Sequence, residues 1–148
     1  MITDRELIVS LNQSLAVAAG TTASTDSIDL TTGADISRGG VPIRARSQVT
    51  VAFAGGTSVQ AQLVESDSSN LSSPTVLYSG PVLADAAALA GAILADVTIP
   101  RTAKRYIGFQ YVTLGVHTAG QVTSEFVLDT ETPLADRRVG YTGLVPGA

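Results

Sequence analysis

Val41-Pro42-Ile43-Arg44-Ala45-Arg46-Ser47-Gln48-Val49-Thr50-Val51-Ala52-Phe53 is followed by Ala54-Gly55-Gly56-Thr57 and then by Ser58-Val59-Gln60-Ala61-Gln62-Leu63. In the first segment the odd positions are mostly apolar, with Val41, Ile43, Ala45, Val49, Val51 and Phe53 around Ser47. The even positions carry Arg44, Arg46, Gln48 and Thr50. After the glycines, Val59, Ala61 and Leu63 alternate with Ser58, Gln60 and Gln62. A period of two places successive side chains on opposite faces of a strand, so each segment reads as a strand with one buried face. Two such runs around a glycine turn predict an antiparallel hairpin.

The same idiom extends in both directions. Eight strands are predicted, over residues 7–17, 27–30, 41–53, 57–65, 75–79, 92–99, 104–113 and 121–129. Residues 20–25 read as a Gly/Thr/Ser linker, and residues 31–40 as a loop turned by Gly33, Gly39 and Gly40. The Ser/Asn/Asp-rich stretch 66–74 is a further loop. Residues 83–91 conflict internally, because Asp85-Ala86-Ala87-Ala88-Leu89-Ala90 favours helix while Gly91 opposes it. A loop or a single helical turn is expected there. Ile107, Phe109 and Tyr111 should share one face, as should Val122, Phe126 and Leu128. The pattern predicts an all-β antiparallel sandwich, with an eight-stranded jelly roll as the expected form.

Composition bounds what such a domain does. A chain of 148 residues fits one domain, divided here into a sandwich over 1–129 and an extended C-terminal arm over 130–148. With no Trp and three Phe, the core is built from Val, Ile, Leu and Ala, which suits two closely packed sheets. Cysteine is absent, so neither disulfides nor a thiol nucleophile enter the argument. His117 is the sole histidine and cannot form a multi-histidine metal site. The net charge of −4 argues against a nucleic-acid partner. Ala16-Val17-Ala18-Ala19 faintly resembles a cleavage site, but Asp4 and Glu6 flank Arg5, and polar residues interrupt the stretch, so a signal peptide is not expected. No segment approaches the roughly 20 apolar residues of a membrane helix.

Candidate chemistry is sparse. Asp26 and Asp29 are three apart, so on a strand they face opposite ways and read as turn groups. His117 lies in Gly115-Val116-His117-Thr118-Ala119-Gly120, a turn, and reads as a surface or contact residue without an identifiable orienting partner. Arg101, Lys104 and Arg105 form a small basic cluster best read as a solvated loop. Asn70-Leu71-Ser72 matches the glycosylation triplet, with nothing else to support secretion. Arg44 and Arg46 project from the polar face of the longest strand, where an interface and a plain solvent face fit equally. No catalytic residue, metal site or cofactor is therefore expected, and the protein is not expected to be an enzyme.

The tail after residue 129 carries Leu134, Val139, Tyr141, Leu144 and Val145 among Pro and Gly, with the pair Arg137-Arg138. It is too apolar for a solvated linker and too broken for a strand. An arm docked on a neighbouring chain, with Leu134, Arg137, Arg138, Tyr141 and Leu144 as contacts, and a tail packed on its own domain both fit.

Several pieces, in order, resemble a known family. They are Met1-Ile2-Thr3-Asp4, Ser24-Thr25-Asp26-Ser27-Ile28-Asp29-Leu30, Val59-Gln60-Ala61-Gln62-Leu63, Arg105-Tyr106-Ile107, Thr118-Ala119-Gly120 and Val127-Leu128-Asp129. In this the chain resembles the jelly-roll capsid cement, or decoration, proteins of tailed bacteriophages. The resemblance runs from Met1 to about Asp129, and the tail departs from the pattern. It implies a structural virion protein, made in the host cytoplasm and bound to the outer surface of the head. It implies the major capsid protein as partner, and self-association as a homodimer at the shell's two-fold positions. It carries over no catalytic residue. The alternative is a carbohydrate- or receptor-binding sandwich, which the scarcity of aromatic side chains disfavours.

Overall fold

Ten strands form among residues 5–30 and 43–128, the residues that the computed structural model describes. In chain order they are β1 (Ile8–Ser14), β2 (Gly20–Ala23), β3 (Ile28–Asp29), β4 (Ile43–Ala54), β5 (Ser58–Ser66), β6 (Thr75–Ser79), β7 (Leu83–Ala84), β8 (Ile93–Thr98), β9 (Tyr106–Leu114) and β10 (Ala119–Leu128). A single 3-10 turn, Arg5–Leu7, precedes them. The loop expected over 31–40 and the arm over 130–148 lie outside the described residues.

Two antiparallel sheets result. The first has the order β1-β10-β4-β8. The second has the order β2-β9-β5-β6, with β3 continuing the β2 edge along β9 and β7 continuing the β6 edge along β5. Counting each broken edge as one strand leaves eight, in the orders 1-8-3-6 and 2-7-4-5. Every connection except that from the fourth to the fifth crosses between sheets, which is the jelly-roll arrangement. The chain is thus an all-β antiparallel sandwich, as its alternation predicts.

One element of the prediction needs correction. The two strands around Gly55-Gly56 do not pair with each other. β4 pairs with β10 and β8, whereas β5 pairs with β9, β6 and β7. The glycines carry the chain from one sheet to the other. Gly55 has φ +88°, and a Cβ there would meet Thr118 Oγ1 at 2.8 Å, so both backbone conformation and space require glycine. Alternation fixes which face of a strand is buried, but it does not name the strand beside it.

Smaller differences have local causes. The expected linker at 20–25 contains β2, because its backbone pairs with residues 110–113 of β9. In β4 the alternation fails at Val51, which is 43 % exposed. Two register shifts against β10, at 49–51 and 51–54, each flip the side-chain parity. The second undoes the first, so Phe53 is buried again at 5 % exposure. Residues 84–88 make the single helical turn, with the Ala88 N–H donating to the Ala84 carbonyl at 3.0 Å.

The core between the sheets takes Val49, Phe53, Val59, Ala61, Leu63, Leu94, Ile107, Phe109, Val122 and Phe126, with Val9 and Leu15 from β1 and its exit. Phe109 and Phe126 face each other across it with ring centres 6.0 Å apart. Through the same layer runs a polar row. Ser10 on β1, Ser124 on β10 and Ser47 on β4 lie directly opposite one another in the register and are fully buried. From the other sheet, Tyr111 on β9 reaches across, donating to Ser10 Oγ at 2.8 Å and pairing with Ser124 Oγ at 2.6 Å. The Ser124 and Ser47 hydroxyls lie 2.7 Å apart, and Ser10 donates to Gln13 Oε1 at 2.7 Å.

Burial pushes the Tyr111 phenol up to about 12 from 10.0, with the serine hydrogen bonds pulling weakly the other way. The folded chain then keeps this proton between those two values while the unfolded chain releases it. The contribution is fully present below pH 10 and is lost as pH rises through the folded value. The slope is at most about 1.4 kcal/mol per pH unit for one group. Tyr111→Phe should remove that slope and cost about 1 kcal/mol at neutral pH, the worth of a typical buried hydrogen bond. Urea unfolding of both proteins across this alkaline range measures the difference; equal slopes would contradict the assignment.

Candidate functional site

Strand direction sorts the surface into distinct regions. β4 ends, β5 begins, β9 ends and β10 begins at one end of the sandwich, called here the Gly55 end. At the other end lie the start of β9, the end of β5 and the 100–105 connection. The outer face of the first sheet forms a third region.

The outer face holds Arg44 and Arg46. Arg44 Nε donates to Asp96 Oδ1 on β8 at 2.7 Å, with both side chains about a third exposed. Arg46 lies in register between Glu125 on β10 and Asp96 on β8. The two arginines therefore sit in a ladder of alternating charge on their own sheet. Opposite charges on adjacent strands stabilise a sheet by roughly 0.2–1 kcal/mol per pair. A partner binding here would meet partly neutralised guanidinium groups. The remaining candidates, Leu134, Arg137, Arg138, Tyr141 and Leu144, lie outside the described residues.

At the end opposite Gly55 the charges are also used internally. Arg105 grips Asp29 through Nε and Nη2, at 3.1, 3.2 and 2.8 Å, and lies 5.0 Å over the Tyr106 ring. That pairing raises the Arg105 pKa, first through the hydrogen bond to Asp29 and then through its charge. Glu65 is buried at the end of β5, where its Oε2 accepts from the backbone N–H groups of Ala103 and Lys104 at 2.7 and 3.1 Å. The basic cluster read as a solvated loop is thus pinned to the body by Glu65 and Asp29. Asp29, read as a turn group, is engaged by Arg105. Phe53, Phe109 and Phe126 are buried and form no sugar platform.

His117 departs most from the reading of the sequence. It is 2 % exposed, so it is not a surface residue. Its Nε2 lies 2.9 Å from Asp85 Oδ1, and Asp85 Oδ2 accepts from the Gly56 N–H at 2.9 Å. A carboxylate offers only acceptors, so Nε2 carries the proton. The imidazole packs edge-on against Phe53, ring centres 5.2 Å apart, and covers Gly56 so closely that a Cβ there would overlap the ring. Nδ1 is buried without a partner among the described residues. Three connections meet at this pair: β4–β5 through Gly56, β7–β8 through Asp85 and β9–β10 through His117. The His117 N–H donates to Val17 O at 3.0 Å and ties in the β1–β2 connection as a fourth. The sequence shows Asp85 32 positions away in an alanine run, with no spacing rule to connect the two.

The pair acts as a clasp, and its loss should be expensive. His117→Ala removes a buried ring and leaves Asp85 without its main partner, a loss of about 2–4 kcal/mol. Gly56→Ala should cost about 1–3 kcal/mol by overpacking against the ring. Urea denaturation measures both, and a His117→Ala protein as stable as the parent would refute the clasp.

No curated protein matches the chain. A family model, Bbp16, matches residues 11–126. That span runs from within β1 to within β10 and takes in Tyr111, Ser124 and Ser47 of the buried polar row, the Arg44–Asp96 ladder and the His117–Asp85 clasp. On that match, the chain belongs to the Bbp16 family.

Proposed function

We propose that this protein is a structural protein of a bacteriophage head, a cement protein that binds the outer surface of the capsid. In this reading it bridges neighbouring copies of the major capsid protein and holds the shell against packaged DNA. It acts without catalysis or cofactor. It pairs with itself and has neither nucleic acid nor membrane as a partner.

One observation carries the proposal. The Bbp16 match covers nearly the whole described sandwich, and the same span holds most of the sequence pieces that resemble phage cement proteins. Family membership points to a phage protein, and the jelly roll agrees with the fold that the resemblance implies. The side-chain chemistry fits as well. His117 and Asp85 clasp connections together, Glu65 caps a loop, and the Tyr111 hydroxyl joins the sheets. Each holds the body rigid instead of facing a substrate.

Rigidity is useful to a lattice-binding protein. A preorganised surface loses little conformational freedom on docking. Contacts to several subunits act together, so each one alone can be weak. Binding the intact shell but not separated subunits stabilises the shell by linkage, by roughly 4 kcal/mol per site at about 1,000 times the dissociation constant.

Purified protein added to expanded empty heads should sediment with them and raise their disruption temperature. Replacing Arg44 and Arg46 by Ala should reduce that gain if the outer face of the first sheet meets the shell. The isolated domain should lose only about 1 kcal/mol, since partly exposed ion pairs contribute little. Heads that resist heat equally with and without bound protein would contradict cementing.

A chain lacking residues 133–148 separately tests the arm, with Leu134, Tyr141 and Leu144 as proposed anchors and Arg137 and Arg138 as charged contacts. It should fold as the full chain does yet bind heads more weakly. Undiminished binding would remove the arm from the contact.

A further inference from the structure

We propose that the free edge of β8 is a strand-acceptor site, on which an extended segment of the capsid protein adds as a further strand of the first sheet. The inference rests on the cement function proposed above and names the surface that meets the shell.

Each sheet has two edges, and among the described residues three of these four are interrupted. β1 is shifted twice in register against β10, and its Val9 carbonyl accepts from the Asp26 N–H at 2.9 Å, so the β2–β3 connection covers it. The β2–β3 edge breaks between Ala23 and Ile28, and the β6–β7 edge between Ser79 and Leu83. β6 also carries an extra residue, Leu77, in its pairing with β5. Bulges, breaks and covers of this kind blunt an edge against strand addition.

β8 has none of them over residues 95–99. Its register against β4 is unbroken over residues 95–98, and the Ile99 N–H continues it, donating to the Ile43 carbonyl at 3.2 Å. Backbone groups of an antiparallel strand face its neighbour at alternate residues. Those of Ala95, Val97 and Ile99 therefore face β4. Those of Asp96 and Thr98 point the other way, where no described residue pairs with them. Gly80 packs on the Leu94 carbonyl and closes the edge at its start, and Pro100 ends it. What remains is two N–H donors and two carbonyl acceptors in strand geometry, a pattern that another extended backbone matches in full.

Side chains specify that incoming strand. Glu125, Arg46 and Asp96 lie opposite one another across β10, β4 and β8, a row that runs acid, base, acid. Asp96 gives Oδ1 to Arg44, and its side chain is still 39 % exposed. The next place in the row calls for Lys or Arg. Residues on either side of that base turn to the inner face, beside Ala95 and Val97. Val97 and Ile99 pack on the core yet stay half-buried at this margin, so apolar side chains are called for there. The partner segment thus reads apolar, basic, apolar. Neither the same strand of a second copy nor the tail supplies it. β8 carries no base, and neither Arg137 nor Arg138 has apolar residues on both sides.

Proline at an outward position tests the assignment. An edge strand tolerates proline where the N–H faces away from the sheet, so Thr98→Pro should keep the parent's circular dichroism and melting. Thr98→Val loses the same hydroxyl but retains the N–H. On expanded empty heads, Thr98→Pro should bind at least about tenfold more weakly than the parent, and Thr98→Val should bind as the parent does. If Thr98→Pro fails to fold, hydrogen exchange on the unaltered protein carries the test. The Asp96 and Thr98 amides should exchange fast in the free protein and be protected on heads. Equal binding of Thr98→Pro and parent, or amides left unprotected on heads, would overturn the assignment. Protection of these amides in the free protein would also overturn it, since the tail or a second copy would then hold the edge. Heads that bind the parent through this edge yet gain no heat resistance would uphold the site and remove the cementing role. Heads protected equally by Thr98→Pro would uphold cementing and remove the site, and a parent that does not bind heads would remove both.

Discussion

The hydroxyl of Tyr111 is the contact on which the sandwich is organised. A core layer between two sheets has room for one large side chain where the facing residues are small. Ser10, Ser124 and Ser47 supply that room in a row across three strands, and Ala95 continues it on β8. Tyrosine fills the space and brings a polar group that must be paired once it leaves water. Its partners all belong to the opposite sheet, so the network is satisfied only when the sheets are in one relative position. A purely apolar layer of Val and Ala would tolerate small slides; this one resists them. The row thereby links the register of β1, β10 and β4 to the placement of β9.

Gln13 extends that constraint to the sandwich edge. It accepts from Ser10 and from the Thr25 N–H at 3.1 Å, and its amide donates to Ala23 O at 2.8 Å. One side chain thus connects the buried row to the β2–β3 edge of the second sheet. The His117–Asp85 clasp does comparable work at the Gly55 end, where four connections converge. Polar groups here serve cohesion at three places: the middle, the edge and one end. That arrangement would suit the proposed role, in which the body transmits force between neighbours.

The clasp also shapes how the surface reads to a partner. Asp85 is used up in holding His117 and Gly56, so among the described residues the end it closes is left apolar and uncharged. The opposite end and the outer sheet face keep their charges, though many are paired, as Arg105 is with Asp29 and Arg44 with Asp96. The domain is therefore polarised along its strands.

Alternation along the chain was enough to establish an all-β fold and most of its inward faces. Val59, Ala61, Leu63, Ile107, Phe109, Tyr111, Val122 and Phe126 are buried as their period-2 spacing requires. Strand β6 falls at its predicted limits, since turn residues bound it on both sides. The same rule places Ser47 and Tyr111 inward, but their connection through Ser124 is not visible in it, because it joins strands 64 positions apart through a register set by the whole sheet. Pairing was likewise hidden: Gly55-Gly56 signals a reversal whether the next strand lies beside the last or across the core. His117 was misplaced because a glycine-rich turn normally faces water, and here three other connections fold over it. A sequence pattern records which side chains avoid water, a property of each short segment. Which of them touch depends on where distant segments are brought together, and that is settled when the two sheets close on each other.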